Sequence, residues 1–311
     1  MTSETPYSAP NASLNESGAL LNSPVDILKC SAGQGATWFI DGIKSTFRNP
    51  ISWGLIGLIN FGLLLLTLII SLIPIIGSFI PSLFYPIIVA GFMVASYNQD
   101  NGTIRAKDLF AGFSRNTGQL FLNGALYIAM TIGIFIIAFI LFLGLFFAFF
   151  STLQSQDKDV TIILLATVGV LIFLGLLLPA IMAIWFAPAL IILFDIDAVE
   201  AIKYSFKGCA RNFVPYIIYS LVAMLIMIIF FAFLAGLSFI VSPGVWQGEG
   251  TDVGFWVTLA GGYMVMAILF APIFFNSIYQ SFKDIYRLKS EPKKTDAEAN
   301  ISGSTKDPIL N

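Results

Sequence analysis

The chain has 311 residues, of which 57% are hydrophobic and only 11% charged, with a formal net charge of -2 and a mean hydropathy of +0.87. Ordinary soluble domains are about half apolar and a quarter charged, so a water-soluble globule of this length cannot hide so much apolar surface. That composition excludes a conventional soluble enzyme and implies an all-α polytopic membrane protein.

In chain order, residues 1–27 are polar, rich in Ser, Asn, Pro and Glu without apolar periodicity, and read as a disordered cytoplasmic tail. The start has neither a basic run nor a short apolar core with a cleavage site, so the first span is expected to serve as the insertion signal. A membrane domain over 28–288 follows. It opens with Ala36, Phe39, Ile43 and Phe47 at helical spacing, with Lys44 and Arg48 one residue behind two of them. Apolar windows at 51–73 and 77–97 come next, joined by a tight uncharged turn. Phe110, Lys107, Arg115 and Asn116 precede windows at 119–150 and 160–194. A third amphipathic stripe of Val199, Ile202, Phe206, Ala210 and Phe213, trailed by Lys203, Lys207 and Arg211, leads to windows at 214–241 and 253–279. A final amphipathic segment ends the domain, and 289–311 reads as a second disordered cytoplasmic tail.

A helix rises about 1.5 Å per residue and the hydrocarbon core is about 30 Å thick, so windows of roughly 20 apolar residues qualify as spans. Six do. The third and fourth are longer than a bilayer requires and are expected to tilt, kink or protrude. Lys and Arg fall almost entirely on one side of the alternation, with only Lys158 on the other. The positive-inside rule then places both termini in the cytoplasm.

One phrase occurs three times on that side: an apolar residue, four residues, then Arg and Asn. It reads Ile43 to Arg48 and Asn49, Phe110 to Arg115 and Asn116, Phe206 to Arg211 and Asn212. Three of the five Arg residues are followed by Asn. Asn tolerates the left-handed conformation that ends a helix, and Pro50 or Pro215 suits the start of the next, so Asn49, Asn116 and Asn212 are expected to be helix corners. A weaker phrase marks the even-numbered spans, where Pro86, Pro188 and Pro272 are expected to kink the helices. Together these predict three hairpin repeats, at about 30–97, 104–194 and 198–279, each preceded by a cytoplasmic amphipathic interfacial helix.

Catalytic chemistry is thinly represented. There is no His, which removes the commonest general base and metal ligand. Cys30 and Cys209 both fall on the reducing side and are expected to be free thiols. No site for a metal or cofactor is read from the sequence, and no catalytic residue is assigned. Asp195 and Asp197 are read as the start of a solvated helix rather than a cation site, since acids favour that end. Asn60, Asn123 and Asn276 lie within spans and are expected to bond between helices. Trp38, Trp53, Trp246 and Trp256 read as anchors at the two water boundaries. The run of Phe142, Phe146, Phe147, Phe149 and Phe150 reads as lipid-facing or packed bulk.

Ser31, Ala32, Gly33, Gly35 and Trp38, leading to Phe47, Arg48, Pro50 and Trp53, resemble a family of uncharacterised proteobacterial multi-pass inner-membrane proteins. The resemblance continues through Trp185 to Ala189, then Glu200, Ala201, Lys203, Ser205, Phe206, Arg211, Asn212 and Pro215, and ends at Tyr279, Ser281, Phe282 and Asp284. It implies a fold and an inner-membrane location and supplies no chemistry. More distantly, the layout is similar to the membrane domain of some glycerophosphodiester phosphodiesterases, without their catalytic domain. The expected role is a non-enzymatic structural or lipid- and partner-binding module. Lys44, Arg48, Lys107, Arg115, Lys203, Lys207 and Arg211 would meet anionic headgroups. The partners would be membrane lipids and other membrane proteins, with no nucleic acid. The alternative is a permease for a neutral or lipid-like solute running between the kinked spans.

Overall fold

The structure, a computed structural model, describes residues 25–74, 76–152 and 158–288. The expected tail at 289–311 lies outside them, as does 1–24. Long runs of Leu, Ile, Phe and Ala in a water-free medium leave the backbone only intrahelical partners, and the described residues are accordingly helical nearly throughout. Six stretches are long and apolar enough to cross a membrane: Pro50–Ile70, Phe79–Asp100, Thr117–Phe150, Ile162–Phe194, Phe213–Val241 and Val253–Ile285. Each window expected from hydropathy is one of these, the last running on to Ile285 instead of stopping at 279.

The elements are β1 (Val25–Ile27), α1 (Gln34–Arg48), α2 (Pro50–Ile70), α3 (Ile76–Asp100), a 3-10 helix (Ala106–Phe113), α4 (Thr117–Thr152), α5 (Lys158–Ile184) and α6 (Ala187–Phe194). They continue with α7 (Ala198–Arg211), α8 (Phe213–Val241), the short α9 (Pro243–Trp246), α10 (Val253–Val265), a π segment (Met266–Phe270), α11 (Ala271–Ile285) and β2 (Tyr286–Leu288). β1 and β2 pair antiparallel, with Asp26 opposite Arg287, so residues 25–27 are strand and not part of a tail. Their pairing joins the two ends of the membrane domain.

Two further corrections concern local geometry. The segment before α4 is a single 3-10 stretch of eight residues, too short for the α-helix expected there. The fourth span is broken at Trp185 and Phe186, so Pro188 sits in the first turn of α6, where its missing N–H costs nothing, and does not kink a continuous helix. Pro272 lies directly behind the π segment inside the continuous helical run Val253–Ile285, and Pro86 lies inside the unbroken α3 together with Pro81.

Packing is concentrated at the end where β1 and β2 pair, here called the basic end. α1 lies against α11 and α8, the 3-10 helix against α3, and α7 against α5 and α6. The inner ends of α3, α6 and α11 converge between them. Phe92 and Phe275 stack there at 4.2 Å, and Ile87, Met93, Phe186, Leu190 and Ile285 are fully enclosed. More than half of the most apolar stretch of α3 is buried, against none of those of the third and fourth spans. α4 is about 54 Å long at 1.5 Å per residue, well beyond a hydrocarbon core of about 30 Å. Phe142, Phe147 and Phe150 project outward from it, as expected for lipid-facing side chains.

Close approach of backbones depends on glycine. A Cβ at Gly91 would collide with the Leu109 carbonyl of the 3-10 helix, whereas Gly62 on α2 faces open space. Gly91→Ala is therefore expected to destabilise by about 1–3 kcal/mol, the usual cost of overpacking. Gly62→Ala is expected to be neutral or stabilising by up to about 1 kcal/mol, since alanine loses less backbone entropy. Fluorescence-detected gel filtration after heating in detergent measures both; a Gly91→Ala midpoint equal to wild type would contradict this packing.

Candidate functional site

Every Lys and Arg among the described residues except Lys158 lies on the connections at the basic end. Their environments differ. Lys44 pairs with Asp41 at 3.0 Å and Lys203 with Glu200 at 2.6 Å, each within one helix turn; the Glu200 contact raises the Lys203 pKa. Arg48 meets Asp100 at 3.4 Å, and Asp100 also takes Lys283 at 2.6 Å, clamping α1, α3 and α11. These pairs are largely exposed, and such pairs contribute about 0–1 kcal/mol each. Arg115 reaches the Ile192 carbonyl at 3.4 Å, and Lys207 lies 5.9 Å from the Tyr204 ring centre. Among the described residues, Lys107, Arg115, Lys207 and Arg211 have no carboxylate within ion-pair distance and are exposed.

The three corner asparagines are not equivalent. Only Asn116 takes the left-handed conformation, at φ 52°; Asn49 and Asn212 stay at negative φ, -134° and -115°. The left-handed conformation is thus confined to one of them, although Asn49 still stands at the corner between α1 and α2 and Asn212 at the corner between α7 and α8. Asn116 donates to the Ile191 carbonyl at 2.7 Å and to Asp195 at 2.8 Å. Asn212 is fully buried; it accepts from the Cys30 N–H at 2.7 Å and donates to the Leu28 carbonyl at 2.9 Å and the Gly208 carbonyl at 3.0 Å. It fastens the start of the domain to the end of α7. Asn49 makes no side-chain cap hydrogen bond.

The break in the fourth span is repaired from outside. Ser205 of α7, fully buried, accepts from the Phe186 N–H at 2.9 Å and donates to the Met182 carbonyl at 2.7 Å. Both backbone groups would otherwise be unpaired in an apolar setting. Asn276 does bond between helices as expected: it accepts from Ser96 at 3.0 Å and Ser45 at 3.3 Å and donates to Thr46 at 3.0 Å. Gln99 donates to the Ser45 carbonyl at 2.7 Å and accepts from the Trp53 indole. Asn123 departs from the expectation: it is buried, and neither polar atom of its side chain has a partner among the described residues.

Trp38 and Trp53 are each 1% exposed and belong to the core, not to a water boundary. Trp38 donates to Asp284 at 2.7 Å. Trp246 and Trp256 are exposed, as anchors would be. Asp197 caps α7 by accepting from the Val199 and Glu200 N–H groups at 3.1 and 3.0 Å, the helix-start role. Both thiols are free. Burial raises the pKa of Cys30, helped by the charge of Asp284, and burial raises that of Cys209 much further. No group of three or more His, Cys, Asp or Glu suited to a metal occurs among the described residues.

Two apolar grooves flank α8. One, of about 680 Å³, lies between α8 and the sixth span around the π segment, with Leu64 of α2 on its wall. The other, of about 320 Å³, lies between α5 and α8 above the end of α7.

Against this geometry, residues 105–283 match a family described as a domain of unknown function, DUF7847. The chain belongs to that family. The matched stretch runs from the 3-10 helix to α11 and takes in Asn116, Ser205, Asn212 and Asn276. Among curated proteins, a probable inner membrane protein of Burkholderia thailandensis is 28% identical over 271 residues, covering 85% of this chain and 93% of the relative. No solved structure matches. The family's description assigns no activity.

Sequence reasoning gave no bonding role to Ser205, Asp100 or Gln99, because a lone Ser, Asp or Gln has no local signature of its distant partner. Ser205→Ala is expected to cost about 1–3 kcal/mol, since it leaves one buried donor and one buried acceptor unpaired. Asn49→Ala should stay within about 0.5 kcal/mol of wild type. Thermal unfolding in detergent compares them; equal midpoints would remove Ser205 from the role assigned here. The raised thiol pKa values also predict slow maleimide labelling at neutral pH, faster as pH rises and slowest for Cys209. Rapid labelling of Cys209 in the folded protein would contradict its burial.

Proposed function

We propose that this protein is a non-enzymatic integral-membrane module that engages anionic lipid headgroups through its basic end, with both termini in the cytoplasm. The observation that carries the reading is the division of faces on α7. Its buried face consists of small residues, Ala198, Ala201, Ser205, Gly208 and Cys209, while Val199 and Phe206, and Phe213 at its end, are 41–46% exposed. An apolar stripe turned away from the protein, bordered by exposed Lys207 and Arg211, suits a helix lying among headgroups and upper acyl chains.

We further infer three repeats. With Arg48 set over Arg211, buried positions coincide: Gly35 with Ala198, Trp38 with Ala201, Gly42 with Ser205, Ser45 with Gly208 and Thr46 with Cys209. The packing is also cyclic. The 3-10 helix sits on the second span, α7 on the fourth, and α1 on the sixth, so each unit's leading segment covers the previous unit's returning span. In this arrangement all three basic corners face one leaflet, which the positive-inside rule makes the cytoplasmic one. The alternative reading, a permease acting through the centre of the three hairpins, has less support, because side chains such as Phe92, Phe275 and Phe186 fill the convergence of α3, α6 and α11.

A juxtamembrane cation contributes about 1 kcal/mol near an anionic surface, or about fivefold in binding. Reversing both Lys207 and Arg211 to Glu should therefore lower retention of phosphatidylglycerol at least tenfold in native mass spectrometry and leave phosphatidylcholine little changed. Lys203→Gln, whose ammonium is already held by Glu200, should have the smaller effect. Unchanged phosphatidylglycerol retention in the double reversal would sink the headgroup reading.

A further inference from the structure

Asn123 is 1% exposed, and neither its Oδ1 nor its Nδ2 meets a partner among the described residues. A buried amide left in that state is costly, so what surrounds it matters. Its direction follows from its own helix. Asn116, Gln119 and Asn123 stand at i, i+3 and i+7 on α4 and share one face. Asn116 donates to the Ile191 carbonyl at 2.7 Å and Gln119 accepts from the Ala198 N–H at 2.9 Å, so that face is turned to the fourth span and the start of α7. α4 and the fourth span are consecutive and run antiparallel. Asn123 lies seven residues outward from Asn116, and Ile184 lies seven residues back from Ile191, so the amide is level with the end of α5 at the break.

The last carbonyls of a helix have no intrahelical donor. At the end of α5, that of Ile181 takes the Trp185 N–H at 3.0 Å and that of Met182 takes the Ser205 hydroxyl at 2.7 Å. The donor four residues beyond Ile184 belongs to position 188, and Pro188 has no N–H. That absence costs α6 nothing, but it leaves the Ile184 carbonyl without a hydrogen bond among the described residues. The buried residues on either side of the break, Ala183 and Ala187, are small, and Gly124 follows Asn123 on α4, so the side chains at this level leave room. We infer that Asn123 holds one buried water molecule against the Ile184 carbonyl. The amide offers both a donor and an acceptor and the carbonyl a further acceptor, a set that a water with two hydrogens and two lone pairs matches. The set carries no charge, and a lone cation within a span is costly. The break is then mended from two sides, by Ser205 from α7 and by Asn123 through its water from α4.

Wild type decides first. A structure of the full chain at a resolution that shows ordered water is expected to place one water within hydrogen-bond distance of both the Asn123 amide and the Ile184 carbonyl. A dry site, or an Asn123 side chain bonded directly to a backbone carbonyl, overturns the inference. Thermal unfolding in detergent gives an independent sign. Asn123→Leu removes the amide that seats the water and strands the Ile184 carbonyl, and should lower the midpoint by about 2 °C or more. If no water is held there, Leu relieves an unmatched amide and the midpoint rises instead, which contradicts the inference. Pro188→Ala restores an N–H at position 188, so in that background Asn123→Leu should cost at least twofold less; an equal cost in both backgrounds removes Ile184 from the site. A wild-type midpoint that is higher in sodium chloride than in choline chloride at equal ionic strength, with the difference lost in Asn123→Leu, puts a cation in place of the water. Should Asn123→Leu not fold, the wild-type density settles the matter alone.

Discussion

A chain in hydrocarbon cannot leave a backbone N–H or C=O unpaired, and that constraint governs this structure wherever a helix is interrupted. The fourth span breaks at Trp185 and Phe186, and the hydroxyl of Ser205 closes the gap from a neighbouring element. The sixth span shifts register through its π segment before α11 begins at Ala271. Such interruptions are tolerated because they lie beside protein. α1, the 3-10 helix and α7 are packed onto the spans they serve, and the buried core occupies that same end.

The result is a bundle with two unlike halves. At the basic end, helices are knitted by the Asn276 and Gln99 network, by Asn212, and by ring contacts such as Phe92 on Phe275. At the other end, the spans expose most of their surface and leave apolar grooves beside α8. Between hydrocarbon-facing side chains and lipid there is little hydrophobic force to close a helix pair, because lipid tails are as apolar as the helices.

The spans were largely legible. Each depends on a local property, a run of apolar residues of sufficient length, and 119–150 or 214–241 needs no partner to be recognised. The basic corners were legible for the same reason. Asn116 met the left-handed expectation, whereas Asn212 looked identical in sequence and proved to be a buried tie to Leu28 and Cys30. Trp38 and Trp53 read as boundary anchors because Trp favours interfaces. Their indole N–H groups are instead consumed by Asp284 and Gln99 inside the core.

Sequence alone determined that the chain is a multi-pass helical membrane protein with six spans and nearly all its Lys and Arg on one set of connections. These follow from the transfer of residues between water and hydrocarbon, a sum over neighbours along the chain. Only the tertiary structure decided which cations are neutralised, which corner Asn also ties distant segments together, and that Ser205 mends a broken span. Those outcomes depend on hydrogen-bond partners up to 184 residues away, as between Asn212 and Leu28, and a distance of that kind leaves no local pattern to read.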